Sequence, residues 1–194
     1  ALLATQWERV VAVAQEGNPL ALLGEGAPGA DAGWTPPSLE EAGARLRAQH
    51  PPPQQAQIAA ALLNVRAEPG LEAEVVGRVG PQGAQVTLLD YSQDGRWARL
   101  DAPVVGWIST EYVVLLPVSG NDPPLFLRPG VARVVQPGLV LRDRPSPEAS
   151  QRGVLAAGQL VLQLAVTTDG AWTQLASPNE GWVRSSGLQA AGQE

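Results

Sequence analysis

Two hydrophobic rhythms divide the chain. Leu3, Trp7, Val10, Val11 and Ala14 recur at intervals of three and four, the period of one helix face. Gly17 and Asn18-Pro19 supply a stop, so a helix over Leu2–Glu16 is expected, with an apolar stripe that needs a partner. A loop rich in Gly, Ala and Pro follows. Ser38-Leu39-Glu40-Glu41 then reads as a capping box opening a second helix, with Arg45 and Arg47 in its last turn, where they complement the helix dipole. Pro51-Pro52-Pro53-Gln54-Gln55 reads as a stiff polyproline II linker that holds both helices away from the rest of the chain.

From residue 56 the rhythm changes to short apolar runs, many of them β-branched, cut by turn formers. Ile58–Arg66, Val75–Val79, Gln85–Tyr91, Trp97–Leu100, Gly106–Ile108 and Val113–Leu115 are the predicted strands, and Asp94-Gly95 is a hairpin signal suited to a type I′ turn. The pattern then recurs. A shift of 76 carries Val65-Arg66 onto Leu141-Arg142, Pro69 onto Pro145 and Gly77 onto Gly153. A shift of 75 carries Asp94-Gly95 onto Asp169-Gly170, Trp97 onto Trp172, Leu100 onto Leu175 and Gly106-Trp107 onto Gly181-Trp182. The expected organisation is a helical segment at 1–50, a Pro-rich linker at 51–55, a β module at 56–116, a connector at 117–129 and a second copy at 130–190. The expected fold class is mainly β: two small five-stranded barrels in tandem after the helices.

Composition narrows the chemistry. Gly (21) and Pro (18) suit short strands and tight turns. The net charge is −6, with 13 basic residues, all Arg, against 19 acidic ones, which is the wrong balance for nucleic acid. With no Cys and one His, His50, thiolate catalysis and Cys- or His-rich metal sites have no residues to use. The absence of Met is expected of a processed form or a fragment. No apolar run approaches the roughly 18–20 residues that cross a bilayer as a helix. His50 beside the prolines is expected to be solvated or dipole-stabilised, and no phosphate loop or nucleophile motif is present. The expectation is a non-enzyme with no cofactor and no metal.

Leu63-Asn64-Val65-Arg66 with Pro69, Asp94-Gly95-x-Trp97, Gly106-Trp107-Ile108 and Tyr112-Val113 resemble the bacterial SH3-like (SH3b) domain. The second copy resembles it more loosely: Leu141-Arg142 lacks the Asn, and Gly187 stands where the first copy has Tyr112. The resemblance implies small five-stranded barrels, an extracytoplasmic location in the cell envelope or outside the cell, and a cell-wall or protein partner. On this reading Trp97 and Trp172 are core or half-buried residues, and Trp107 and Trp182 are the candidate ligand anchors. Tyr91 and Tyr112 flank the first groove, and Arg66 and Arg142 open the first loop of each copy as further candidate contacts. The leading expectation is an envelope binding module recognising cell-wall glycan or peptide, or a protein. The alternative is a structural subunit that assembles, as a homo-oligomer or within a larger complex, through Leu3, Trp7, Val10, Val11 and Ala14.

Overall fold

The computed structural model describes residues 37–120 and 122–191. The assembly stripe Leu3, Trp7, Val10, Val11 and Ala14 lies outside the described residues. A 3-10 turn at Leu39–Glu41 leads into helix α1, Ala42–Gln49. The capping box does not form. The Ser38 side chain caps nothing, its carbonyl accepts from the Glu41 N–H at 3.4 Å, and Glu41 instead approaches Arg45, at 3.7 Å.

Among the described residues fourteen strands follow in one antiparallel sheet: β1 Gln54–Ile58, β2 Leu63–Arg66, β3 Val75–Val79, β4 Gln85–Tyr91, β5 Trp97–Leu100, β6 Gly106–Ser109, β7 Val113–Leu115, β8 Leu125–Val134, β9 Leu139–Arg142, β10 Gln151–Leu155, β11 Leu160–Thr167, β12 Trp172–Ser177, β13 Gly181–Arg184 and β14 Leu188–Ala190. The spatial order is β10-β9-β13-β12-β11-β8-β7-β1-β4-β5-β6-β2-β3, with β14 on β8. The expected pair of separate barrels is thus replaced by one continuous sheet, and two misread segments account for it.

The first is the linker. Gln54 and Gln55 begin β1, which pairs with both β4 and β7. Gln54 is buried, and its amide donates to the Pro51 carbonyl at 2.7 Å, so a polar side chain sits inside with its donor satisfied. The expected single strand Ile58–Arg66 is divided at Ala59–Leu62, where the Ala59 N–H turns to the Tyr112 carbonyl at 2.8 Å. The second is the connector. Its last residues, Leu125–Pro129, are the start of the ten-residue β8, which pairs with β7, β11 and β14. Pro129 is tolerated because the β8–β11 register shifts there, and the Gln163 amide reaches the Arg128 carbonyl at 3.2 Å.

The core follows the sheet across this junction. A single cluster runs from Leu46 through Ile58, Leu88 and Leu100 to Leu127, Leu162 and Leu164. A smaller one holds Val134, Leu141, Leu155, Leu175 and Val183.

Helix α1 is docked rather than tethered at a distance. Leu46 is fully buried, and Gly43 lies so close to the β4–β5 loop that a Cβ there would stand 1.9 Å from the Ser92 carbonyl oxygen. The Gly43 N–H donates to the Gln93 carbonyl at 2.9 Å. The same helix reaches the other half of the sheet: His50 Nε2 meets Gln174 Oε1 at 2.8 Å, and Arg45 comes within 4.0 Å of Glu180.

Candidate functional site

The two Asp-Gly sequences build the same device. Asp94 accepts from the Ser92 hydroxyl at 2.6 Å and from the Arg96 N–H at 3.1 Å, and Ser92 Oγ in turn accepts from the Trp97 N–H at 3.0 Å. Asp169 accepts from Thr167 Oγ1 at 2.5 Å and from the Ala171 N–H at 3.0 Å, while Thr167 Oγ1 accepts from the Trp172 N–H at 3.1 Å. The hydroxyl and backbone bonds hold the Asp169 carboxyl below its ordinary pKa. Neither loop is the expected two-residue type I′ turn. That turn needs positive φ at both central residues, whereas only Gly95 (φ 69°) and Gly170 (φ 71°) have it, and no non-glycine among the described residues does. Each loop closes with Ser92 or Thr167 facing the following Trp, and so fixes where Trp97 and Trp172 begin their strands.

Those two rings then meet different cross-strand partners. Trp97 opposes Ser109 and Trp172 opposes Arg184. The Arg184 guanidinium lies 4.4 Å from the centre of the Trp172 ring, which is 6% exposed. A serine cannot cover an indole, so Trp97 stays half-buried and lines a hollow of about 440 Å³ with Ser109, Arg96, Glu111 and Arg128.

On another side Trp97 joins Trp107 in a wider hollow of about 680 Å³, with Pro69 and Gly70 from the β2–β3 loop and with Arg47 and Asp90. Trp107 is presented here because β6 closes tightly on β2: a Cβ at Gly106 (φ 155°) would stand 2.5 Å from the Arg66 carbonyl oxygen. Arg47 bridges Asp90, at 2.6 Å from Nε, and the Tyr91 carbonyl through Nη2. Partial desolvation acts to raise the Asp90 pKa, but the Arg47 hydrogen bond and charge, with the Tyr91 N–H, bring it below its ordinary value. Arg47, read from sequence only as a partner of the helix dipole, is therefore a wall of the hollow. Its role depends on the docking of α1, which no local pattern encodes.

Tyr91 also borders this wider hollow, from the core side, and the other candidates separate from it. Tyr91 is fully buried, because a register shift between Leu88 and Asp90 moves the inward face from even to odd positions. Burial raises its phenol pKa, and its hydroxyl has no partner among the described residues. Tyr112 is 42% exposed and lines neither hollow around Trp97. Arg66 and Arg142 each donate to a carbonyl across the first loop, Ala73 and Ala149, at 2.6 Å, which commits them to shaping that loop. Trp182 is half-buried against the larger core cluster, in a cavity with His50 and Gln174. His50 is likewise not the solvated residue expected. Burial lowers its pKa, and the Gln174 bond offsets this only in part.

Among the described residues no group of three His, Cys, Asp or Glu side chains is placed to hold a metal, and no helix is long and apolar enough to cross a membrane.

Residues 61–114, from just before β2 into β7, match the family model of the bacterial SH3 domain. The residues that carry the sequence resemblance in the first copy, Leu63–Arg66, Trp97, Gly106-Trp107 and Tyr112-Val113, fall within that match. Solved structures with some likeness include NlpC2 from Trichomonas vaginalis, at 13% identity over 72% of this chain and 48% of that one, with a TM-score of 0.33. NlpC1 from the same organism gives 12% identity, 72% and 46% coverage and a TM-score of 0.32. The endolysin LysPBC5 CBD gives 10% identity, 72% and 94% coverage and a TM-score of 0.28. The chain spans about half the length of the two Trichomonas proteins. No curated protein matches it.

Proposed function

We propose that this chain is a non-catalytic binding module of the bacterial cell envelope, which holds a cell-wall peptide or glycan against Trp97 and Trp107. The observation that carries this reading is the pair of half-buried indoles lining one hollow beside the β2–β3 loop, within the bacterial SH3 segment. Aromatic rings supply apolar area with little conformational entropy to lose, and a few fixed polar groups beside them set orientation. Arg47 and Asp90 are those groups, held together by their mutual bond. The net charge of −6 disfavours anionic partners, so an uncharged or amine-bearing ligand suits the surface better than nucleic acid.

The test is co-sedimentation of the full chain with purified bacterial peptidoglycan. Wild type is expected in the pellet, with Trp107→Ala weakening binding about tenfold or more, the loss of an interface anchor. Wild type that stays in the supernatant, or Trp107→Ala that pellets equally well, overturns the reading.

A further inference from the structure

The repeat supplies its own control for one exposed patch. β3 ends the sheet in the first copy and β10 ends it in the second, each with a single neighbouring strand. Val75 and Val76 on β3 and Val105 in the β5–β6 turn are 42%, 44% and 61% exposed. They are contiguous with the half-buried Val104: a Cβ on Gly77 would stand 2.8 Å from Val104 Cγ1, and one on Gly106 would stand 3.3 Å from Val76 Cγ2. The shifts of 76 and 75 that align the copies carry Val75, Val76, Val104 and Val105 onto Gln151, Arg152, Asn179 and Glu180. The same backbone plan therefore folds with polar side chains at all of these places, and the fold does not require valine at them. None of these valines lines either hollow around Trp97. An apolar cluster left in water on one copy and made polar on the other marks a contact surface.

We infer that this surface meets its own counterpart on a second copy of the chain, in a two-fold dimer. Strand addition is not the mode. β3 bulges at Val76, between the Val65–Gly77 and Arg66–Val75 pairs, which spoils a further backbone ladder, so the contact is made by side chains. The charges choose the occupant. Glu74 and Arg78 stand at equal sequence spacing on either side of Val76, and among the described residues neither forms an ion pair. Arg78 is held by its Nε bond to Asn64 at 3.2 Å, which leaves both Nη groups to a visitor. When two β3 strands meet antiparallel about Val76, each Glu74 faces the partner's Arg78, as a self-complementary interface demands. The second copy's edge has no such symmetry: Ser150 and Val154 flank Arg152, so two copies of β10 would set like charges together. A patch of four valines is far smaller than the roughly 20–30 residues a side of a stable interface, so the dimer is weak. On a repetitive ligand a weak dimer makes the chain bivalent, because the hollows stay open and the bound surface supplies the local concentration; this consequence alone rests on the proposed binding role.

The test is sedimentation velocity of the full chain from about 10 μM to about 1 mM, the range in which a weak dimer forms. Wild type is expected to pass from monomer to dimer across it. Val76→Arg and Val105→Glu copy the residues of the second module and should each weaken the dimer about tenfold or more, with Tm near that of wild type. Glu74→Arg and Arg78→Glu should each weaken it about tenfold, because each sets like charges together twice across the two-fold, and the double variant should restore it. A role for these charges within one chain would not produce that rescue. Monomer throughout, a dimer undiminished in both valine variants, or a double charge variant no better than the singles overturns the inference. The first result leaves the valines to a different partner, and the second places the dimer contact elsewhere on the chain.

Discussion

Trp97 and Trp172 begin equivalent strands after equivalent Asp-Gly loops, yet one ring is half-buried beside two hollows and the other is sealed. The difference lies in one cross-strand partner, Ser109 against Arg184. Arg184 turns a potential anchor into a stacked surface pair, while the serine leaves the indole open to a visitor. On the proposed reading, the same backbone plan serves recognition in one half and packing in the other, and Trp182 lies against the larger core.

The strongest way to break this contrast is to unseat the helix that walls the open side. Leu46→Ala removes a fully buried side chain from the shared core and should cost about 3 kcal/mol, in the range for such truncations, read as a lower Tm. Peptidoglycan binding should fall with it, because Arg47 reaches Asp90 only while α1 is docked. A smaller effect is expected from exchanging the partners themselves. Ser109→Arg should lay a guanidinium on Trp97 and reduce binding severalfold in the same sedimentation assay, with little loss of stability. Arg184→Ser should uncover Trp172 at a cost of about 0.5–1 kcal/mol, the worth of an exposed cation–π pair, measured by urea denaturation.

The smallest effect is the response to acid at the helix end. The folded-state pKa of His50 lies below its unfolded value of 6.5, so between the two values the unfolded chain binds more protons and stability falls with falling pH. The loss should begin as pH drops through 6.5 and be complete below the folded-state value. Denaturation midpoints taken across that window on wild type and His50→Gln should converge in slope at neutral pH and diverge in acid.

How much of this was legible in the sequence depended on what each residue had to touch. Strands β2 to β7 carry apolar alternation and glycine turns, and they stand close to where the pattern puts them. β1 is written in glutamines, whose burial depends on hydrogen bonds such as Gln54 to Pro51, and a hydrophobicity pattern is blind to those. β8 begins inside a proline-rich stretch, where Pro129 reads as a breaker until the register shift beside it is seen. Of the proposed site, Trp107 was legible as a candidate from the Gly-Trp pair. Tyr91 was inverted by a bulge that changes the inward parity of β4 within one strand. Arg47 and Ser109 matter only because of what lies across from them in space, one against Asp90 and the other opposite Trp97.

Helix α1 also decides how the molecule meets a mechanical load. It lies ahead of β1 in the chain, and it is fastened to the first half at Gln93 and Asp90 and to the second at Gln174. Tension applied through the residues before Pro37 therefore reaches the helix before it reaches any strand. Peeling α1 breaks the Gly43–Gln93 backbone bond, a few side-chain bonds and the packing of Leu46, whereas pulling out β1 must break backbone ladders on both of its sides. The helix is expected to yield first and to carry Arg47 away from Asp90, so that on the proposed reading a stretched molecule loosens its hold on a ligand while the sheet beneath stays folded.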